Sequence, residues 1–83
     1  MNPENIKLLI QSHLPEAFVQ VEGDGAHFTA NVVSDLFIGK SRIQKQKMVY
    51  QAVNTELLDG SLHALSLKTF TTEEWKNLEK GNL

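Results

Sequence analysis

The chain has no cysteine, only two prolines and no long apolar run among its 83 residues. Without cysteine, the chain alone cannot form a disulfide, bind a metal through thiolates or supply a cysteine nucleophile. Its apolar runs fall far short of the ~20 residues that a membrane-spanning helix needs. The first residues, "MNPENIKLLIQSHL", show no signal-peptide pattern. We therefore expect a soluble, cytoplasmic protein with no membrane association.

The sequence also lacks the motifs of common catalytic sites. It contains no nucleophile elbow, no glycine-rich nucleotide loop and no carboxylate pair at metal-site spacing. The net charge of −2 gives no overall attraction to nucleic acid. A chain of this length forms one small domain, here residues 1–83, and we expect its tail to fray from about residue 78 to residue 83. These features favour a single-domain protein that is not an enzyme.

The first half of the chain predicts a helix followed by a β-hairpin. Asn2, followed directly by proline, is typical of a helix start, and a second proline stops that helix near His13. Apolar and polar residues then alternate over residues 18–33, on either side of the turn sequence "GDG". This pattern predicts two antiparallel strands, with His27 at the start of the second.

The second half predicts a long helix. Ser41 with Gln44 three residues later fits a capping box, and the helix runs to about Leu58, before Gly60 ends it in a left-handed conformation. The predicted apolar stripe of this helix consists of Ile43, Gln46, Tyr50, Val53 and Leu57, with Val49 beside it.

A third strand and a short helix complete the pattern. "LHALSLKTF" predicts the strand over residues 62–70, with His63 in step with its leucines. Thr71 and Glu74 repeat the capping box and open a helix whose Trp75 should anchor it to the sheet. The expected order is αββαβα.

This order predicts where two of the three histidines lie. A helix of roughly sixteen residues connects the second and third strands, which is the length of a right-handed crossover between parallel neighbours. If these strands are adjacent, both begin at the same edge of the sheet. His27 and His63 would then lie at that edge, although they are far apart in sequence.

With these features in place, the sequence resembles the BolA-like protein family, and is most similar to its short bacterial IbaG-type members. The resemblance covers roughly residues 4–76 and rests on three blocks in order: "VEGDGAHF", "LFIGKSRIQKQKMVYQAV" and "LHALSLKTFTTEEW". Thr72 departs from the pattern, because family members often carry proline there.

The resemblance implies an α+β fold similar to the class II KH domain, with helices packed on a three-stranded mixed sheet. It also implies a role in iron–sulfur trafficking or iron-dependent regulation. Such proteins pair with a monothiol glutaredoxin. The two proteins hold a [2Fe–2S] cluster between them, and a bound glutathione supplies a further thiolate. No cofactor is expected on the chain alone. By resemblance, the ligands from this chain are His63 in "LHAL" and His27 in "GAHF".

The residues are compatible with this role but leave alternatives open. Histidine replaces cysteine on one iron of Rieske clusters, so a chain without cysteine could supply nitrogen ligands while a partner completes the site. Such a site should be more labile at mildly acidic pH than a four-thiolate site. His63 could instead be a strand-start histidine bonded to a backbone carbonyl, and His27 a solvated turn residue. Asp24 could orient the His27 ring, but is first of all a turn residue.

The basic segment "GKSRIQKQK" supports a competing function. Its candidate binding residues are Gly39, Lys40, Ser41, Arg42, Lys45 and Lys47. Positive charges around a helix N-terminus could hold the phosphates of DNA, and the family is linked to transcriptional regulation and stress response. The G-x-x-G loop through which KH domains grip nucleic acid is missing, however. The segment could equally dock a glutaredoxin, or its lysines could simply line a solvated helix face. A weak homodimer also remains possible.

Overall fold

Three helices and three strands follow one another in the predicted order αββαβα. The computed structural model describes residues 1–25 and 27–81. Its helices are α1 (Pro3–His13), α2 (Arg42–Asp59) and α3 (Thr72–Gly81), and its strands are β1 (Phe18–Gly23), β2 (His27–Val33) and β3 (Ala64–Phe70), with one turn of 3-10 helix over Asp35–Phe37. Within the described residues, no helix combines the length and the apolar character that crossing a membrane would require.

The three strands form one mixed sheet in the order β1-β2-β3. β1 pairs with β2 in the antiparallel hairpin, whereas β3 pairs with β2 in parallel. α2 is therefore the crossover that returns the chain to the edge at which β2 began, so the predicted adjacency of the last two strands is confirmed. His27 is level with Ala64 at one end of the sheet, and Val33 is level with Phe70 at the other.

Side-chain caps set where the helices begin and end. Asn2 accepts a hydrogen bond from the Asn5 amide at 2.8 Å, and Ser41 accepts one from the Gln44 amide at 3.1 Å. Each of these bonds satisfies an amide that has no partner within its own helix. Gly60 ends α2 with a φ of 82°, the left-handed conformation that glycine adopts without a steric penalty.

The core lies between one face of the sheet and the helices α1 and α2. Its largest fully buried side chains are Ile6, Ile10, Val32, Phe37, Val49, Val53 and Leu62. The predicted apolar stripe of α2 was wrong at Ile43, which is 68% exposed. Ile43 lies about 120° around the helix from the buried Val49, given about 100° per residue, and so falls outside the face that contacts the sheet.

The opposite face of the sheet is covered only at one end. Strand alternation places Phe18 and Phe70 on this face, and the Trp75 ring of α3 packs against both, with centroid distances of 6.0 Å and 5.1 Å. The predicted role of Trp75 as the anchor of the last helix is confirmed. We call this side of the sheet the open face.

α3 includes part of the tail in which fraying is predicted. The helix extends through Gly81, whereas the predicted fraying starts at about residue 78 and stays a prediction; residues 82 and 83 lie outside the described residues. Its start is fixed by the predicted capping box, in which the Thr71 amide donates to Glu74 Oε1 at 2.8 Å. This bond lowers the pKa of Glu74 below its usual value. The stabilisation from the cap is therefore present at neutral pH and is lost as the pH falls through the lowered pKa.

Replacing the Trp75 anchor should loosen α3 while the rest of the domain stays folded. Aromatic pairs contribute about 0.5–1.5 kcal/mol beyond the area that they bury, so Trp75→Ala should raise amide hydrogen exchange across α3 by roughly tenfold. The matched control is Leu78→Ala, since Leu78 is 47% exposed on the same helix. Unchanged exchange over residues 72–81 in Trp75→Ala would contradict this assignment.

Candidate functional site

Two histidines lie at the same end of the sheet, where β2 and β3 begin, as the crossover predicted. His27 opens β2 and is level with Ala64, and His63 is the residue immediately before Ala64. Neighbouring strands are about 4.8 Å apart and residues about 3.3 Å apart along a strand, so the two Cα atoms are roughly 6 Å from each other. Both side chains are exposed to solvent. The fold therefore brings the backbones of two exposed histidines close together, although they come from distant parts of the chain.

The hairpin turn positions His27. Asp24 accepts a hydrogen bond from the His27 backbone amide at 3.3 Å, which is the turn role expected of it. Gly23 has a φ of 142° and lies directly against the backbone of His27 and Phe28. A side chain at position 23 would overlap the His27 carbonyl oxygen, so only glycine fits at this point. Strand alternation then places His27 on the open face, opposite the buried Phe28.

A tightly bonded loop positions His63. The Asp59 carboxylate accepts hydrogen bonds from the Ser61 hydroxyl at 2.6 Å and from the Ser61 amide at 2.8 Å, and these bonds lower the pKa of Asp59. The next amide, that of Leu62, donates to the Glu56 carbonyl at the end of α2.

The predicted strand over residues 62–70 therefore starts two residues too early, because Leu62 is buried and bonded to α2 while β3 begins at Ala64. Since His63 precedes the regular strand, it is exposed rather than packed with the leucines of β3.

His27 and His63 are suitable metal ligands, but two side chains are too few to complete a metal centre. Neutral imidazole nitrogens are ligands for zinc, copper and iron, including one iron of a histidine-ligated [2Fe–2S] cluster. Over the described residues, no group of three or more His, Asp or Glu side chains is arranged to hold a metal ion. The two histidines thus fit part of the ligand set of such a centre.

The predicted basic segment lies at the opposite end of the sheet. β2 ends at Val33, and the chain passes through a 3-10 turn into the N-terminus of α2, beside the end of β3. Seven-residue strands place this end about 20 Å from the histidines. The two candidate sites are therefore separate, and a partner that used both would have to extend along the sheet.

The members of the basic segment differ in what they do. Ser41 is occupied as the cap of α2, and Gly39 has the left-handed φ of 77° needed to turn the chain before it. The alternative that placed Lys45 on a solvated helix face does not fit, because its side chain is only 17% exposed and its Nζ lies 3.9 Å from the Glu74 carboxylate. Lys40, Arg42 and Lys47 are exposed.

A basic groove runs between the first turn of α2 and the last residues of β3. Its volume is about 350 Å³, and it is lined by Arg42, Lys45, Gln46 and the strand residues Leu67, Lys68, Thr69 and Phe70. Lys68 was not among the predicted site residues, because it lies far from the basic segment in sequence and only the fold brings it there. The signal that could have identified it is the single charge within the third strand pattern, combined with the crossover that brings this strand beside α2.

Replacing Gly23 should disturb the hairpin that presents His27. In Gly23→Ala, the new Cβ would overlap backbone atoms and the residue would retain an unfavourable φ, so we expect a loss of about 1–3 kcal/mol in the free energy of unfolding. Gly25→Ala is the matched control, because a Cβ there meets no atom within 4 Å and the backbone has no positive φ. Urea titrations of the two variants measure the difference. Equal midpoints would show that the close approach at Gly23 is unimportant.

Comparison with known proteins agrees with this architecture. A family model described as "BolA-like protein" matches residues 1–74. The acid stress protein IbaG of Escherichia coli K12 is 37% identical over 82 residues, which cover 99% of this chain and 98% of that protein.

Among solved structures, a bolA protein homologue from Coxiella burnetii superposes with a TM-score of 0.81 at 36% identity, covering 92% of this chain and 97% of that one. The BolA domain of SufE1 from Arabidopsis thaliana superposes with a TM-score of 0.73 at 28% identity, over 87% and 93% of the two chains. On the strength of the family match, the near-complete coverage and the shared fold, this chain belongs to the BolA-like protein family.

Proposed function

We propose that this protein is a non-enzymatic adaptor that shares a [2Fe–2S] cluster with a monothiol glutaredoxin in the cytoplasm. The observation that carries the proposal is the pair of exposed imidazoles, His27 and His63, at one edge of the sheet. The cluster is cargo that the heterodimer holds for iron–sulfur trafficking or iron-dependent regulation. Membership of the BolA-like family supports this role at the level of the family.

In this proposal, the chain contributes two nitrogen ligands from backbone segments that hydrogen bonds hold in place. The hairpin turn holds the backbone of His27 through Asp24, and the bonds around Ser61 and Leu62 hold the backbone that precedes His63. A chain without cysteine leaves the thiolate ligands to the glutaredoxin and to glutathione. Exposure of both rings suits a cluster held between two molecules, because a buried ring would be out of the partner's reach.

Removing either ligand should abolish or sharply reduce cluster loading. In His27→Ala and His63→Ala, each complex with a monothiol glutaredoxin loses one nitrogen ligand, so visible absorbance and iron and sulfide content should fall. The matched control is His13→Ala, because His13 is the third histidine and is exposed at the end of α1, five residues before Phe18, which starts β1 at the end of the sheet opposite to His27.

Gel filtration of the apo-complexes separates a loss of ligation from a loss of docking. Both histidine variants should still form the apo-heterodimer. Absorbance equal to that of the wild-type complex in both would refute the assignment of the ligands.

Nucleic acid is the alternative ligand, and the observation that favours it is the groove lined by Arg42, Lys45 and Lys68. Two features reduce its attraction for phosphates. Glu74 lies within 3.9 Å of Lys45, and Glu73 is exposed beside it at the start of α3. The amides at the start of α2 are also partly occupied by the Ser41 and Gln44 cap.

A salt series with a labelled DNA duplex tests this alternative. Because few cations at the groove are unpaired, we expect micromolar or weaker affinity. The logarithm of the binding constant should fall only slowly with the logarithm of the salt concentration, with a slope that corresponds to roughly two to three neutralised phosphates. Fluorescence anisotropy between low and physiological salt measures both quantities. Tight binding with a slope of six or more phosphates would instead make DNA the principal ligand.

A further inference from the structure

The outer edge of β3 carries backbone groups that no strand in the described residues pairs with. β3 is the last strand of the sheet. The carbonyl of Phe70 accepts from the Ser34 amide, which follows directly after β2, so Phe70 and the residues of the same parity direct their backbone groups toward β2. Leu67 and Thr69, which have the other parity, direct theirs outward. These two residues therefore present amide donors and carbonyl acceptors at the spacing of a strand.

Leu65 marks the N-terminal limit of this unpaired stretch. Leu65 has the same outward parity, but its carbonyl already accepts a hydrogen bond from the Tyr50 hydroxyl at 3.2 Å. This contact independently confirms the outward direction of the carbonyls at Leu65 and, by alternation, at Leu67 and Thr69. The available edge thus starts after Leu65 and coincides with the strand residues that line the basic groove.

Positively charged side chains lie on both sides of the outer edge of β3. An added strand would project its side chains alternately toward α2, where Arg42 and Lys45 line the groove, and toward the open face, where Lys68 lies. The described residues that line the groove include no carboxylate, but Lys45 is paired with Glu74 at 3.9 Å, so Arg42 and Lys68 are the cations that remain to attract an acidic ligand. A second copy of this chain is a poor occupant, because pairing two such edges would bring like charges together. The complementary occupant is an extended, acidic segment.

We infer that the free edge of β3 binds an extended acidic peptide segment of another protein as an additional strand. The amides and carbonyls of Leu67 and Thr69 pair with the backbone of the segment, and its carboxylates face Arg42 and Lys68. Backbone pairing fixes the position of the segment, and the cations select its charge. Binding at this edge does not involve His27 or His63, so the inference is independent of whether the chain carries a cluster.

The probe is an amidated heptapeptide of sequence Val-Glu-Glu-Val-Glu-Glu-Val that carries fluorescein on its N-terminal amine; in an extended strand its glutamates lie on both faces. Two control peptides separate the two parts of the inference: one is N-methylated at alternate residues, which blocks the edge hydrogen bonds, and one carries glutamine in place of glutamate. Each control should bind at least about tenfold more weakly than the probe, because each lacks several favourable interactions. Amide chemical-shift changes in the wild-type protein should centre on Leu67 and Thr69.

A protein variant tests the same edge from the other side. Thr69→Pro removes one outward amide without disturbing the ladder to β2, since proline is tolerated where the amide faces away from the sheet. It should weaken binding about fivefold, whereas Thr69→Val, which keeps the amide, should not. Arg42→Gln and Lys68→Gln should each weaken binding of the acidic probe but not of the glutamine peptide.

Several results would overturn the inference. Equal binding of the N-methylated peptide and the probe would show that only charge matters. Absence of probe binding would also refute it, as would a single-stranded 12-nucleotide DNA that binds more tightly and displaces the probe, because the groove would then be a nucleic-acid site. If circular dichroism shows that Thr69→Pro does not fold, the comparison of the N-methylated peptide with the probe on the wild-type protein decides the question.

Discussion

The parallel pairing of β2 with β3 is the constraint on which both surfaces of this protein depend. It requires α2 to cross the sheet from one end to the other, so the chain re-enters the sheet beside the residue at which β2 began. This return brings His63 next to His27 across more than thirty residues of sequence. The same crossover brings the N-terminus of α2 beside the end of β3, where Arg42 and Lys68 line one groove.

β3 connects the two surfaces. His63 precedes its first residue and Lys68 lies near its C-terminal end. Between Leu65 and Phe70, its outer edge pairs with no strand among the residues that the structure describes. Because the strand is held by β2 on one side only, its position rests on the core contacts of its leucines with α2. A partner that binds either end therefore contacts an element that is fixed by the core but accessible from solvent.

Much of the fold could be predicted from local signals. The capping residues Asn2, Ser41 and Thr71 mark the helix starts, and Gly60 marks the end of α2, because each acts on backbone groups within a few residues. The alternation of residues 18–33 likewise specifies the hairpin. These signals are short-range, so one sequence is sufficient to interpret them.

The errors came from features set by packing between distant elements. Ile43 has the spacing of a core residue, but the orientation of α2 against the sheet leaves it exposed. The pattern also predicted His63 as part of a strand, whereas the bond from the Leu62 amide to the Glu56 carbonyl holds the chain against α2 and the strand begins only at Ala64. Lys45 and Lys68 belong to one groove only because the crossover places α2 against β3.

The direct test of the central claim is the identity of the atoms bonded to iron. The protein would be labelled with ¹⁵N at histidine alone, combined with an unlabelled monothiol glutaredoxin and glutathione, loaded with cluster and reduced for pulsed electron–nuclear double resonance. The account predicts strongly coupled ¹⁵N signals from two histidine nitrogens of this chain, one from His27 and one from His63. A reduced cluster with no ¹⁵N coupling would contradict it.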